Sequence, residues 1–253
     1  MPNNTERKKV YFVSDFHLGA PKGEESRLRE QRVVAFLQSI EKDAKQVFLL
    51  GDIFDFWFEY KKVVPKGYVR ILGQLARMTD MGIKIDFFCG NHDLWQRNYF
   101  EKELGVTVHK HKTEEIVIDG KTFVLGHGDG LDSKDYGYLF IRFIFKNPVS
   151  KAIFTSLPAT LGLAMATSWS GASRKSHKEI DFKSMGDKEP ILLFCKKYLE
   201  EHSHVDYFVF GHRHLVTDIA VKGNVRYLNT GVWFEESPYA VWNGETIEIK
   251  YFK

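Results

Sequence analysis

The segment Ile83-Lys84-Ile85-Asp86-Phe87-Phe88-Cys89, followed at once by Gly90-Asn91-His92-Asp93, decides how the chain folds. An apolar run of this length, closed by a Gly-Asn turn, reads as a buried strand that stops at its turn. The turn then projects an amide oxygen, an imidazole and a carboxylate from one point. Those are the groups that hold a divalent metal and protonate a leaving group. Alone, the tetrapeptide is also what a turn with an incidental histidine looks like. Repetition decides the matter, because four other apolar runs end in metal-type ligands. Residues 9–14 lead to Asp15 and His17, and residues 46–50 to Gly51-Asp52. The run up to Leu125 leads to Gly126-His127-Gly128-Asp129, and residues 207–210 to Gly211-His212-Arg213-His214.

The 253 residues, 43% hydrophobic and 27% charged, suit one large domain, or one domain with an inserted lobe, and a substantial core. A formal net charge of +3 argues against a whole-surface nucleic-acid binder, so no nucleic-acid partner is expected. Cys89 and Cys195 lie in apolar runs and read as buried free thiols of a reducing compartment. The first nine residues are polar and lack the apolar stretch of a secretory signal. Residues 152–169 are uncharged but interrupted by Pro158 and Gly162, so they do not read as a bilayer span. The expected location is cytoplasmic, with peripheral contact at the inner membrane surface left open.

Further along, Ser26 is placed as the cap of a helix whose inner face carries Val33, Phe36, Leu37 and Ile40. A second helix is expected over 65–81, with Pro65 near its start and Gly82 just past its end. Residues 94–104 read as helical. Asp119-Gly120 marks a tight hairpin turn, 225–228 a further strand, and Asn243-Gly244 the turn of a final hairpin. Between 137 and 178 the character changes, for this stretch has no Asp or Glu but holds Arg142, Lys146, Lys151, Arg174, Lys175 and Lys178. Its apolar residues suggest helices broken at Pro148 and Pro158. The expected organisation is therefore a core of residues 1–130 and 191–253 with an inserted helical lid over 131–190.

In a layered α/β protein, strand ends of this kind converge on one edge, where ligands bind. Asp15 and His17, two residues apart on extended backbone, point to the same side. Carboxylate, imidazole and amide oxygen without thiolate suit Mn, Fe or Zn rather than a structural zinc site. Seven ligands exceed one ion with an open position, whereas two ions sharing a carboxylate use them well. In this order, Asp15-x-His17, Gly51-Asp52, Gly90-Asn91-His92-Asp93, Gly126-His127-Gly128-Asp129 and Gly211-His212-x-His214 resemble the motifs of the calcineurin-like metallophosphoesterases. That resemblance covers nearly the whole chain and implies a four-layer α/β/β/α sandwich. It also implies one metal held by Asp15, His17, Asp52 and His214 and a second by Asp52, Asn91, His127 and His212, most simply Mn²⁺, with Fe or Zn as alternatives. It implies metal-activated attack on phosphorus, with His92, held close by Asp93, as proton donor. The remaining histidines, His109, His111, His177, His202 and His204, are expected at surface positions.

Two features narrow the resemblance. The aromatic segment after Asp52 and the stretch Asp135-Tyr136-Gly137-Tyr138 with Arg142 are similar to those of the UDP-2,3-diacylglucosamine hydrolases of the lipid A pathway. By that resemblance Asp135 contacts the glucosamine headgroup, the lid sheathes two acyl chains, and Ser173, Lys175 and Lys178 join Asn91, His92 and His212 around the substrate. The apolar, acid-free lid agrees with a lipid diphosphate or an anionic membrane surface. One departure stands out, since many members of that pathway family carry Arg where this chain has His92. Arg holds diphosphate charge, whereas His also performs acid catalysis. The expected function is hydrolysis of the pyrophosphate of a UDP-linked diacylated sugar. A soluble phosphodiesterase or nucleotide phosphatase of the same fold is the alternative, and a non-enzymatic scaffold fits poorly because no ligand position is degraded.

Overall fold

The computed structural model describes residues 7–131, 147–158, 161 and 185–253. Alternation of side chains along each strand builds the layers. In β1 (Lys9–Val13) and β2 (Ala44–Leu49), Tyr11, Val13, Val47 and Leu49 face one way, while Val10, Phe12 and Phe48 face the other. The first set packs with Val33, Phe36 and Leu37 of α1 (Glu24–Ile40) and with Ile71, Leu75 and Met78 of α2 (Val69–Asp80). The second set meets Phe123 and Leu125 of β6 (Lys121–Gly126), Val209 of β7 (Tyr207–Phe210) and Leu228 of β9 (Val225–Asn229). On the far side of that second sheet, Val124, Phe208 and Phe210 pack on Ile191, Leu192 and Cys195 of α5 (Pro190–Glu201). Three apolar interfaces thus separate four layers, helices, sheet, sheet, helix, as expected.

The first sheet runs β11-β10-β1-β2-β3-β4 and the second β5-β6-β7-β9-β8. The added strands are β3 (Lys84–Phe88), β4 (Thr107–His109), β5 (Thr113–Ile118), β8 (Thr217–Lys222), β10 (Pro238–Trp242) and β11 (Ile247–Tyr251). Strands β1, β2, β3 and β4 are mutually parallel, as are β6, β7 and β9. All five ligand-bearing loops follow such strands, so they leave the two sheets at one edge.

Several local expectations change. Ser26 lies inside α1, whose N-cap is Gly23, and its hydroxyl instead accepts a hydrogen bond from Gly19 N at 2.6 Å. The second helix begins only at Val69, because Tyr68 takes a left-handed conformation (φ 59°) that interrupts any helix from Pro65. Residues 94–98 are not helical, and α3 spans Tyr99–Leu104. The buried Glu59 carboxylate accepts from the N–H groups of Arg97, Asn98 and Tyr99 at 2.8, 3.0 and 3.2 Å, which sets the helix start there. The final hairpin turns at Asn243-Gly244 as expected, through a four-residue loop in which the Asn243 amide oxygen accepts from Glu245 N and Thr246 N. Within the proposed lid, α4 (Pro148–Ser156) is capped by the Asn147 side chain, and Phe154 packs on the rings of Phe58 and Trp95, each at 4.7 Å. Asp135, Ser173, Lys175, Lys178 and His177 lie outside the described residues. No helix among the described residues is long and apolar enough to cross a membrane.

Candidate metal centre

Six described residues other than glycine have positive φ, and four of them are Asp15, His17, Asp52 and His212. The strand-end loops therefore turn through conformations that cost an L-residue free energy, and each turn delivers a metal-type ligand. Backbones crowd together behind them. A Cβ on Gly90 would stand 2.5 Å from Asp52 N, and one on Gly211 2.5 Å from Asp15 Oδ2. The glycine preceding these ligands lets separate loops reach one point.

All seven predicted ligands meet there. His17 Nε2 and His214 Nε2 stand 3.0 Å apart, and Asp15 Oδ1 lies 3.6 and 3.5 Å from them. Asp52 Oδ2 lies 3.8 Å from His17 Nε2 on one side and 3.3 Å from His127 Nε2 on the other, a bridging position. His127 Nε2 is 3.2 Å from Asn91 Oδ1, and the His212 ring centroid is 5.1 Å from that of His127. His127 Nδ1 donates to Leu50 O at 2.8 Å, so its Nε2 lone pair faces Asp52 and Asn91. This is the donor set of a hard-to-borderline divalent metal, split into two clusters, Asp15 with His17 and His214 and Asp52 with Asp15 and His127, that share Asp15.

The model of the calcineurin-like phosphoesterases matches residues 8–216. The chain belongs to this family. A UDP-2,3-diacylglucosamine hydrolase of Porphyromonas gingivalis is 38% identical over 96% of this chain and 97% of its own length. One from Aeromonas salmonicida is 28% identical over 91% of this chain and 88% of its own. The solved structure of a phosphoesterase from E. coli aligns at 14% identity and a TM-score of 0.42, over 94% of this chain and 90% of that one. As a calcineurin-like phosphoesterase, the chain is a metal-dependent hydrolase.

The electrostatics of the phosphoesterase site fit a bound cation. Burial pushes the Asp15 and Asp52 carboxyls up. The surrounding imidazoles, His17 and His214 for Asp15 and His127 for Asp52, outweigh it and hold both well below the usual carboxylate range. Asp15 Oδ2 is occupied by Ser14 Oγ and His212 N, while buried Oδ1, facing the two imidazoles, has no hydrogen-bond partner. Burial lowers the His17 and His212 pKa values to about 4, so both present neutral nitrogen. Burial also opposes protonation of His127, but Asp52 overrides it and raises that pKa well above 6.5. The buried anions demand positive charge, which a divalent ion supplies better than one proton.

One expectation is corrected. Asp93 does not hold the His92 ring; its two oxygens accept from Gly90 N at 2.7 Å and Ile53 N at 2.9 Å. It ties the third ligand loop to the second. Burial, followed by the nearby Asp52 charge, raises its pKa to about 7. The His92 ring is held by its Nδ1 donating to Asp55 O at 2.8 Å, while His92 N donates to Asp52 Oδ1 at 2.9 Å.

Sequence reasoning missed Asp55, whose Oδ1 lies 3.9 Å from Nδ1 of both His17 and His92. It also missed Arg29, whose guanidinium donates to the carbonyls of Phe16, His17 and Ala20 at 3.2, 3.1 and 2.6 Å and lies 4.5 Å over the Phe234 ring. Phe234 in turn stacks on His17 at 5.7 Å. A signal for Arg29 was present, since it falls on the buried stripe of α1 formed by Ser26, Val33, Phe36, Leu37 and Ile40. His109 is not a surface residue. It stacks on Phe88 at 4.4 Å and bonds Asp86 on one side and Glu114 on the other.

Proposed function

We propose that the chain hydrolyses the pyrophosphate of UDP-2,3-diacylglucosamine to UMP and 2,3-diacylglucosamine 1-phosphate in lipid A biosynthesis. The observation that carries this reading is 38% identity to a UDP-2,3-diacylglucosamine hydrolase across 96% of the chain, with every ligand position of a dinuclear centre present. One metal is assigned to Asp15, His17, Asp52 and His214, the other to Asp52, Asn91, His127 and His212, and Mn²⁺ suits this oxygen- and nitrogen-rich set. Such ions supply charge neutralisation on the phosphoryl oxygens and a water acidic enough to attack at neutral pH.

The chain's own residues do the rest. Fixed at Nδ1 by the Asp55 carbonyl, His92 presents Nε2 toward the ligands, 3.9 Å from Asp52 Oδ2. A proton carried there is delivered to the leaving oxygen as the P–O bond of the α-phosphate breaks. Asp93 acts by position, holding the Gly90 turn against Ile53 so that Asn91 and His92 stay beside the residues that would hold the metals. Residues 131–190 form the lid over the core of 1–130 and 191–253. Asp135, Ser173, Lys175 and Lys178 serve the sugar diphosphate together with Asn91, His92 and His212. Val149 and Ile153 of α4, 64% and 62% exposed, offer apolar surface for acyl chains or for the cytoplasmic face of the inner membrane.

The test is product analysis with UDP-2,3-diacylglucosamine in detergent and Mn²⁺, run beside bis-p-nitrophenyl phosphate. UMP and the diacyl sugar phosphate, formed in preference to cleavage of the generic diester, is the expected result. Diester cleavage with the lipid substrate untouched would leave a phosphodiesterase of different specificity, with His92 in place of Arg as its marker.

A further inference from the structure

Beside the edge of the second sheet, β5 and the connection that leaves α5 bring together Glu115, His202 and His204. Their ligand atoms lie within 4.8 Å of one another. His204 Nε2 is 2.8 Å from Glu115 Oε2, and His202 Nδ1 is 3.3 Å from Glu115 Oε1. Two imidazole nitrogens thus converge on the two oxygens of one carboxylate. Around an ion with bonds of about 2.0–2.1 Å, neighbouring ligands stand about 2.9 Å apart in an octahedron and about 3.3 Å in a tetrahedron, and the two carboxylate–imidazole separations fall close to that range.

The group is also braced from behind. The Tyr198 hydroxyl donates to Glu115 Oε1 at 2.8 Å, and its ring stacks on His202 at 4.1 Å with 17° between planes. One side chain of α5 therefore fixes both the carboxylate and an imidazole, the outer support that metal ligands ordinarily need. None of these residues belongs to the phosphoesterase centre.

We propose that Glu115, His202 and His204 form a second, surface site for a late first-row divalent metal of the zinc class. Two imidazoles and one carboxylate favour Zn²⁺ over Mg²⁺ or Ca²⁺, and the remaining positions are left to water. Because Glu115 lies on β5, the edge strand of the second sheet, and the histidines follow α5, the ion ties the outer helix layer to that edge.

The test compares the full-length chain with His202→Ala/His204→Ala after dialysis against micromolar Zn²⁺. The variant should hold one zinc fewer per chain and keep its phosphoesterase activity. Cu²⁺ substitution in an Asp15→Ala/His127→Ala background should give an electron paramagnetic resonance spectrum with coupling to two imidazole nitrogens. Glu115→Gln should weaken Zn²⁺ binding at this site at least tenfold while preserving the fold. Equal zinc content in the wild type and the histidine variant, or no copper signal dependent on His202 and His204, would overturn the assignment.

Discussion

Gly90→Ala adds one methyl group at the point where the second and third ligand loops cross. The new Cβ would lie 2.5 Å from Asp52 N, whereas ordinary van der Waals contact begins at 3.4 Å, so the loops must separate by about 0.9 Å. The obstacle is backbone and cannot rotate away. Asp52 N is fixed because the loop carrying it pairs with the first, through Asp15 N to Gly51 O at 3.0 Å and His17 N to Asp52 O at 2.9 Å. Overpacking of this kind costs about 1–3 kcal/mol. The larger effect falls on chemistry, since Asp52 moves relative to Asn91 and His92, and a displacement near 1 Å costs about 10²-fold in rate. Thermal unfolding should show a modest drop in Tm, while kcat with saturating Mn²⁺ falls about a hundredfold. A variant with wild-type kcat and Tm would refute the claim that the glycine is there for this close approach.

The other expectations are briefer. Asp15→Ala and His127→Ala should each abolish turnover with far-UV circular dichroism unchanged; activity in either would sink the two-metal reading. His92→Ala should lower kcat by about 10²–10⁴ yet keep the full metal content measured by elemental analysis, since His92 is assigned a proton and not an ion. His212→Gly should be about 1 kcal/mol more stable to urea than His212→Ala, because both lose the imidazole but only glycine accepts φ 68° freely. Burial disfavours charge on His109, but Asp86 on β3 and Glu114 on β5 prevail and raise its pKa above 6.5. The stability this adds is full below pH 6.5 and fades as pH rises through the folded pKa, so the deficit of His109→Gln should be greater at pH 6 than at pH 9.

The layers and the metal cluster were legible because they rest on short-range rules. Alternation in residues 9–13 and 44–49 assigns each side chain to one interface, and a ligand directly after a parallel strand must emerge at the common edge. What escaped depended on partners distant in sequence. Nothing near residue 99 says that Glu59, forty positions earlier, will gather three N–H groups and start α3 there. The strand β8, largely exposed at the edge of its sheet, has no buried face to mark it. His92 and Asp93 are adjacent in sequence, which suggested a pair, yet the carboxylate serves Gly90 and Ile53 while the imidazole takes the Asp55 carbonyl. Adjacent residues in a turn commonly point to different partners.

The same crowding that made the site readable also makes it costly. Asp15, His17, Asp52 and His212 each sit at positive φ, at roughly 1–2 kcal/mol apiece, a sum comparable to the net stability of many whole domains. That conformation survives only where its surroundings over-determine it, and here they do. Asp15 O accepts from Trp233 N at 3.2 Å, Arg29 clamps three carbonyls of the first loop, and Asn91 and His92 hang on the turn that Asp93 holds. A relaxed backbone would carry the same side chains outward, where the carboxylates would be solvated and their pull on a cation screened. Strain and burial therefore serve one end, which is to keep carboxylate oxygens and imidazole nitrogens converged before any ion arrives. An enzyme built this way loses little in reorganisation when the phosphoryl group develops charge.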